Sequence, residues 1–332
     1  MGASRCASSL QVTITQLEAF VLVARLGSVT AAAETLGVSE PAVSGALAAL
    51  RRQLGDNLVE RSANGMSLTP AGRRLMSIAS QMVALAADAE EAIRQAQGAP
   101  DRLRVVATST VAESIAPALV NALTARSPRM EGSIGVASTG QMGPLLHERL
   151  ADVALGPRLT GEAASGLERV PLFRYRLALV SAPSHPLAGI PHLRLGDLAE
   201  KIWLVDPEAT DRASPVASLL RRLGVHEQNI RVFQSQAAAL VAAAEGQGIA
   251  PAVAHLVAPE LERGSLVRLE VEGTPIEMLW FASMLPPDRR SPAAGALRRF
   301  ITTPDATQAM HTPLVGVSPS RFRPPVYVTL WS

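Results

Sequence analysis

The stretch Val29-Thr30-Ala31-Ala32-Ala33-Glu34-Thr35-Leu36-Gly37-Val38-Ser39-Glu40-Pro41-Ala42-Val43-Ser44-Gly45-Ala46-Leu47 decides the fold. Its first half reads as a short helix to Leu36, with Ala32, Ala33 and Leu36 inward and Gly37 as the C-terminal stop. Ser39 is placed to cap a further helix, and Pro41 suits a first turn because its missing N–H has no intrahelical partner there. Val43, Leu47, Leu50 and Leu54 form the buried stripe of that helix, and Gly55 ends it. The opposite face carries Ser39, Glu40, Ser44, Gly45, Ala48, Arg51 and Arg52. Two helices joined by the tight turn Gly37-Val38-Ser39 make a helix-turn-helix, whose second helix fits a DNA major groove.

Outward from this core, Thr15-Gln16-Leu17-Glu18 has the T-x-x-E form of a capping box, and Leu17, Phe20, Val21 and Ala24 follow at helical spacing up to Gly27. On the other side, Leu58–Arg61 and Met66–Leu68 read as short strands around the hairpin signal Asn64-Gly65, which makes a wing. Arg61, Arg73 and Arg74 flank it as candidate phosphate contacts. Thr69-Pro70 then opens a long helix. Leu75, Ile78, Met82, Leu85, Ala89 and Ala92 alternate three and four residues apart along it, a heptad seam that calls for a partner helix. A second copy of the chain is the simplest partner; packing on its own domain is the alternative. Gln97-Gly98-Ala99-Pro100 breaks the helix as a hinge.

From Leu103 the pattern changes to apolar strands alternating with amphipathic helices. Leu103–Ala107, Ile134–Ala137, Val153–Leu155, Leu177–Val180 and Ile202–Val205 are strand candidates; Glu113–Ala125, Gln141–Leu150, Ser214–Leu223 and Ala237–Gly246 are helix candidates. Such alternation predicts α/β sheets. Ligands of open α/β sheets bind beyond the carboxyl ends of strands. Thr108-Ser109-Thr110, Ser138-Thr139-Gly140 and Ser235-Gln236 stand at such places, and hydroxyls with free N–H groups at helix starts suit a small anion such as a carboxylate. Each of them is also read as a plain helix cap. Arg212 reads either as a charge partner or as a solvated side chain.

Chemistry of other kinds finds little support. His185 sits in a turn, the remaining histidines show no metal-ligand spacing, and no Gly-rich phosphate loop follows a strand, so no metal, cofactor or catalytic residue is expected. The 332 residues suggest two or three domains. A formal net charge of +2 does not by itself mark a nucleic-acid binder. No apolar run is long enough for a membrane span, and the start of the chain lacks an apolar signal region. Cys6 stands alone, which excludes an internal disulfide and fits the cytoplasm. Past Thr302, Pro304, Pro313, Pro319, Pro324 and Pro325 predict an irregular tail, ending in the apolar Val326–Trp331.

Together these residues resemble the LysR-type transcriptional regulators. The resemblance is carried by Leu17-Glu18-Ala19-Phe20, Gly27 to Ala33, Leu36 to Ser44, Leu54-Gly55, Leu58, Glu60-Arg61 and Leu68-Thr69-Pro70-Ala71-Gly72. It continues more loosely through Asp152-Val153-Ala154-Leu155, His185-Pro186-Leu187-Ala188, Gly246 to Ala250 and Leu261 to Val267. It implies a winged helix-turn-helix over 12–69, a linker dimerisation helix over 70–98, and a two-lobed α/β effector domain like a periplasmic binding protein over 101–302, before a tail over 303–332. The chain would cross between lobes near Leu155–Arg174 and return near Leu269–Leu279.

The resemblance further implies DNA reading by residues around Val29 to Ala48, with Ser28, Thr30, Ser39, Glu40, Pro41 and Ser44 as contacts and Arg51, Arg52, Arg61 and Arg73 on phosphates. Relatives usually have Gln at the position of Glu40, a polar or basic residue at Gly45 and Glu at Arg51, so base preference does not transfer. The expected partners are double-stranded DNA with an imperfect palindrome, a small-molecule effector, and further copies of the chain as homodimers or as tetramers built from them. A regulator without a ligand is one alternative; a solute-binding or enzymatic α/β protein is another, and it would need an export signal or a catalytic constellation.

Overall fold

The computed structural model describes residues 12–62 and 65–311, so Cys6, Asn64 and Val326–Trp331 lie outside the described residues. The chain divides into two compact units around Ala99 and Pro100.

The first unit contains α1 (Ile14–Leu26), α2 (Val29–Leu36), α3 (Glu40–Leu54), β1 (Val59–Ser62), β2 (Gly65–Leu68) and α4 (Pro70–Ala96). Helix α1 starts two residues before the expected box. The Thr13 hydroxyl accepts from Gln16 N at 3.3 Å, while Thr13 N donates to Gln16 Oε1 at 3.0 Å. This earlier start adds the helical bond from Leu17 N to Thr13 O, which a cap at Thr15 would forfeit. Leu17, Phe20, Val23, Ala32, Val43, Leu47 and Leu50 close one core. Glycines 27, 37 and 55 end the three helices in the left-handed region.

The join between wing and long helix is built tightly. Leu58 is buried at φ +60°, its N–H donating to Asp56 Oδ1 at 2.6 Å and its carbonyl accepting from Thr69 N. The Thr69 hydroxyl donates to the same Asp56 oxygen at 2.8 Å and accepts from Gly72 N at 2.9 Å. A Cβ on Gly72 would lie 2.0 Å from the Leu58 carbonyl oxygen, so a glycine is required at this place in the join.

The second unit begins with β3 (Asp101–Ala107), α5 (Ser109–Ser114), α6 (Ala116–Arg126), β4 (Met130–Val136), α7 (Thr139–His147) and β5 (Val153–Gly156). The 14-residue β6 (Glu168–Ser181) follows. Next come β7 (Trp203–Val205), α8 (Pro215–Leu223), β8 (Ile230–Val232), α9 (Gln236–Ala244), β9 (Ala250–Val253), α10 (Ala258–Glu262) and β10 (Val267–Arg268). The described chain closes with β11 (Ile276–Met284), α11 (Pro292–Phe300) and α12 (Pro304–His311). Strand β3 pairs in parallel with β4 and β5, as the crossover helices require.

Strands β6 and β11 are the structural spine, running antiparallel from Ile276 opposite Leu177 to Met284 opposite Glu168. At one end β11 pairs with β5; at the other β6 pairs with β9 and β10. These two strands carry the chain between the lobes. Expectation had only Leu177–Val180 as a strand here. The earlier part of β6 alternates buried with arginine-bearing exposed positions and contains Pro171, which hid it from a search for apolar runs. Strands β8, β10 and β11 were likewise not foreseen as strands.

The irregular tail expected from residue 303 is corrected for its first part. Thr303 caps α12 through Ala306 N at 3.3 Å, and Ala306 and Met310 are buried in the main core. Pro304 is thus a first-turn proline and not a breaker. The remaining tail prolines lie outside the described residues.

Candidate nucleic-acid interface and ligand cleft

On α3 the stripe Val43, Leu47 and Leu50 is buried, which turns Ser39, Glu40, Pro41, Ser44 and Gly45 to solvent. The Ser39 hydroxyl makes no capping bond, contrary to its expected service as a side-chain cap. Its β-region backbone starts the helix without that bond. Ser28 does cap α2, accepting from Ala31 N at 3.3 Å, and Thr30 is exposed beside it. Six of the expected reading positions therefore lie at the starts of two consecutive helices.

The arginines differ among themselves. Arg52 is exposed. Arg51 is half-buried, with Nη2 donating to the Val59 carbonyl at 3.4 Å and its Nε buried without a partner. Arg51 therefore braces α3 against β1, and its reach toward a phosphate is reduced. Arg73 is exposed and donates through Nη1 to Leu68 O at 2.7 Å, leaving the other donors of its guanidinium for solvent or an anion. The backbone of Arg61 pairs with Met66 in the wing.

Along α4, Ile78, Met82 and Leu85 are 58%, 43% and 50% exposed. Leu75 instead packs partly on the core of the first unit, so the free seam starts one turn later than expected. Ala89, Ala92 and Ile93 extend it.

In the second unit, Thr108, Thr110 and Gln236 line one small cavity together, as expected. Ser109, Ser138, Thr139, Gly140 and Ser235 are not among its lining residues. Ser235 caps α9 by accepting from Ala238 N, so the cap reading holds there. At the start of α7, Gly140 N donates to Asp211 Oδ2 at 2.6 Å; a carboxylate of the chain itself already occupies that helix end. Arg212 is exposed and outside the cavity.

The rest of the lining reverses the expected charge. Asp206 and Glu208, in the loop after β7, face into it, with Tyr175 from β6 and Trp280 from β11 stacked at 4.1 Å behind them. None of the lining residues is basic. Burial, with Asp206 next to it, pushes the Glu208 carboxyl up to about 8. Burial also raises Asp206, and burial with Asp206 nearby raises Glu113. The Thr108 hydroxyl is fully buried and faces the Glu208 carboxyl without a hydrogen bond of good geometry. These carboxyls add to the cleft a chemistry that the anion-binding reading of its hydroxyls and helix starts did not weigh. Sequence reasoning missed Asp206 and Glu208 although they follow a foreseen strand at its carboxyl end, because the search there weighed only anion-binding groups.

Residues 14–73 match the family described as bacterial regulatory helix-turn-helix protein, lysR family, and residues 96–304 match the LysR substrate binding domain. An uncharacterized HTH-type transcriptional regulator of Mycobacterium tuberculosis is 37% identical over 323 residues, 96% of this chain and all of that protein. The HTH-type transcriptional regulator CfxR of Cupriavidus necator is 28% identical, over 87% of this chain and 90% of its own. Among solved structures, full-length CbnR complexed with its target DNA aligns with a TM-score of 0.57 at 22% identity, covering 87% of this chain and 98% of that one.

Proposed function

The chain belongs to the LysR family of DNA-binding transcription regulators with an effector-binding domain, and from this we propose how its own residues divide the work. Helix α3 enters the major groove, with Glu40 and Ser44 on base edges and Ser39, Thr30, Arg52 and Arg73 positioning the backbone. The observation that supports this reading is the exposed, uncapped polar start of α3 beside the capped start of α2. Glu40 accepts from a cytosine amine, where a Gln would pair with adenine.

Two protomers join through Ile78, Met82 and Leu85 of α4. Covering these half-exposed side chains contributes on the order of 1 kcal/mol each, enough in sum to favour a dimer. A two-fold dimer of this kind reads an imperfect palindrome in cytoplasmic DNA, and homodimers are the unit from which tetramers would assemble. A small molecule in the cleft lined by Thr108, Thr110 and Gln236 acts on this arrangement only by binding one state more tightly than another.

Selection of sites from a random duplex pool by the full-length protein, at a stated salt concentration, tests the DNA side. An interrupted inverted repeat is the expected product. A pool that enriches only single half-sites would overturn the dimer reading, and a Glu40→Gln variant that enriches the same bases would overturn the role of Glu40.

A further inference from the structure

The cavity between β6, β11 and the loop after β7 holds two lining carboxyls and no basic lining residue. Other carboxyls act on Glu208, beside the Thr108 hydroxyl, while backbone N–H groups donate to Asp206. Asp211 and Asp206 press on Glu208, Asp206 presses on Glu113, and Glu208 faces the phenol of Tyr175. Buried carboxylates are paired with cations or take up protons. The described residues give these carboxyls no arginine, lysine or histidine partner. Beside them the stacked Tyr175 and Trp280 rings, both buried, offer aromatic surface of the kind that attracts organic cations.

The Thr108 hydroxyl, which faces the Glu208 carboxyl, adds a second observation. Thr108 is 1% exposed and lines the cavity, yet its hydroxyl closes no good hydrogen bond. Buried polar atoms of this kind call for a partner. The cavity measures about 30 Å³, room for a small head group and not for a whole metabolite. Thr110 and Gln236 also line a wider neighbouring groove, which leaves space for the rest of a ligand.

We propose that the cleft takes a small organic ammonium ion, its head group held by the Asp206 and Glu208 carboxyls, accepted by the Thr108 hydroxyl and backed by Trp280 and Tyr175. This rests on the reading of the cleft as the effector site and specifies its ligand class. Binding is a proton exchange: the ammonium enters with its charge, and a protonated carboxyl releases its proton to solvent.

Butylammonium chloride and sodium butyrate have similar chains and opposite charges. Titrated into the full-length protein in a calorimeter at pH 7 and fixed ionic strength, butylammonium should bind saturably and butyrate should not. Repeating the titration in two buffers of different ionisation enthalpy should reveal proton release. Glu208→Gln should weaken butylammonium at least tenfold. Thr108→Val, which leaves the charges in place, should weaken it severalfold, so the idea stays testable if the Gln variant folds poorly.

Equal binding by wild type and both variants would show general cation association and overturn the proposal. Saturable butyrate binding that is lost in Thr108→Val would also overturn it: protonated carboxyls would then be donating to an anion, and the effector-cleft reading would stand. Binding of neither probe would overturn the cation proposal, while the cleft reading would stand or fall on other ligand classes and site selection would report separately on DNA binding.

Discussion

Single positions on α3 separate base reading, charge and stability. Replacing Ser44 or Glu40 by Ala should alter base preference by about 1–3 kcal/mol at one position of each half-site, read by selection from random DNA. Arg52→Ala should weaken binding to all sequences alike and lower the slope of log affinity against log salt by about 1 per protomer. Arg51→Ala, in contrast, should lower the thermal midpoint, because its guanidinium braces the Val59 carbonyl. A reduced salt slope with an unchanged midpoint would place Arg51 on phosphate after all. Glycines divide in the same way. Gly45 has open space where a Cβ would go, so Gly45→Ala should add up to about 1 kcal/mol of stability. Gly72→Ala drives a methyl into the Leu58 carbonyl and should cost about 1–3 kcal/mol or more in denaturant unfolding. In the sequence both are glycines at helical positions, and nothing local distinguishes them.

Among whole elements, the readable ones are those whose apolar period and caps agree. Helix α2 runs over Val29–Leu36, and α3 over Glu40–Leu54, as the patterns of Ala32-Ala33 and Val43-Leu47-Leu50 predict. The long α4 was legible from Thr69-Pro70 and from its seam, though Leu75 turned out to serve the core of its own unit. Leu85→Asp should therefore dissociate the proposed dimer, measured by sedimentation at micromolar protein; a dimer that survives would place the contact elsewhere. Leu75→Asp should instead unfold the first unit. The earlier part of β6 and the whole of β11 escaped notice because a spine strand passes from one lobe to the other and changes its buried face on the way, which breaks a simple period.

At the level of the molecule, the acidic cleft makes stability depend on pH. The folded Glu208 carboxyl titrates near 8, above its ordinary value of 4.5, so its neutral form is favoured by folding. The associated stability is fully present below about pH 4.5 and is lost as pH rises through about 8. Asp206 and Glu113 shift in the same direction. The thermal midpoint of the cleft-bearing unit should fall between pH 5 and 8.5 at constant ionic strength, and Glu208→Gln should flatten that slope; an unchanged slope would show that Glu208 is solvated. The residue order alone determined the helix-turn-helix, the linker helix and the alternating α/β class, because caps, glycine stops and apolar spacing act over a few neighbouring residues. Thr108, Thr110 and Gln236 were also legible as cleft residues from their place after strands or at helix starts. That two carboxyls line the cleft was decided only in three dimensions. Asp206 and Glu208 meet Tyr175, Trp280 and Thr108 from distant parts of the chain, and a carboxyl's protonation depends on what surrounds it in space.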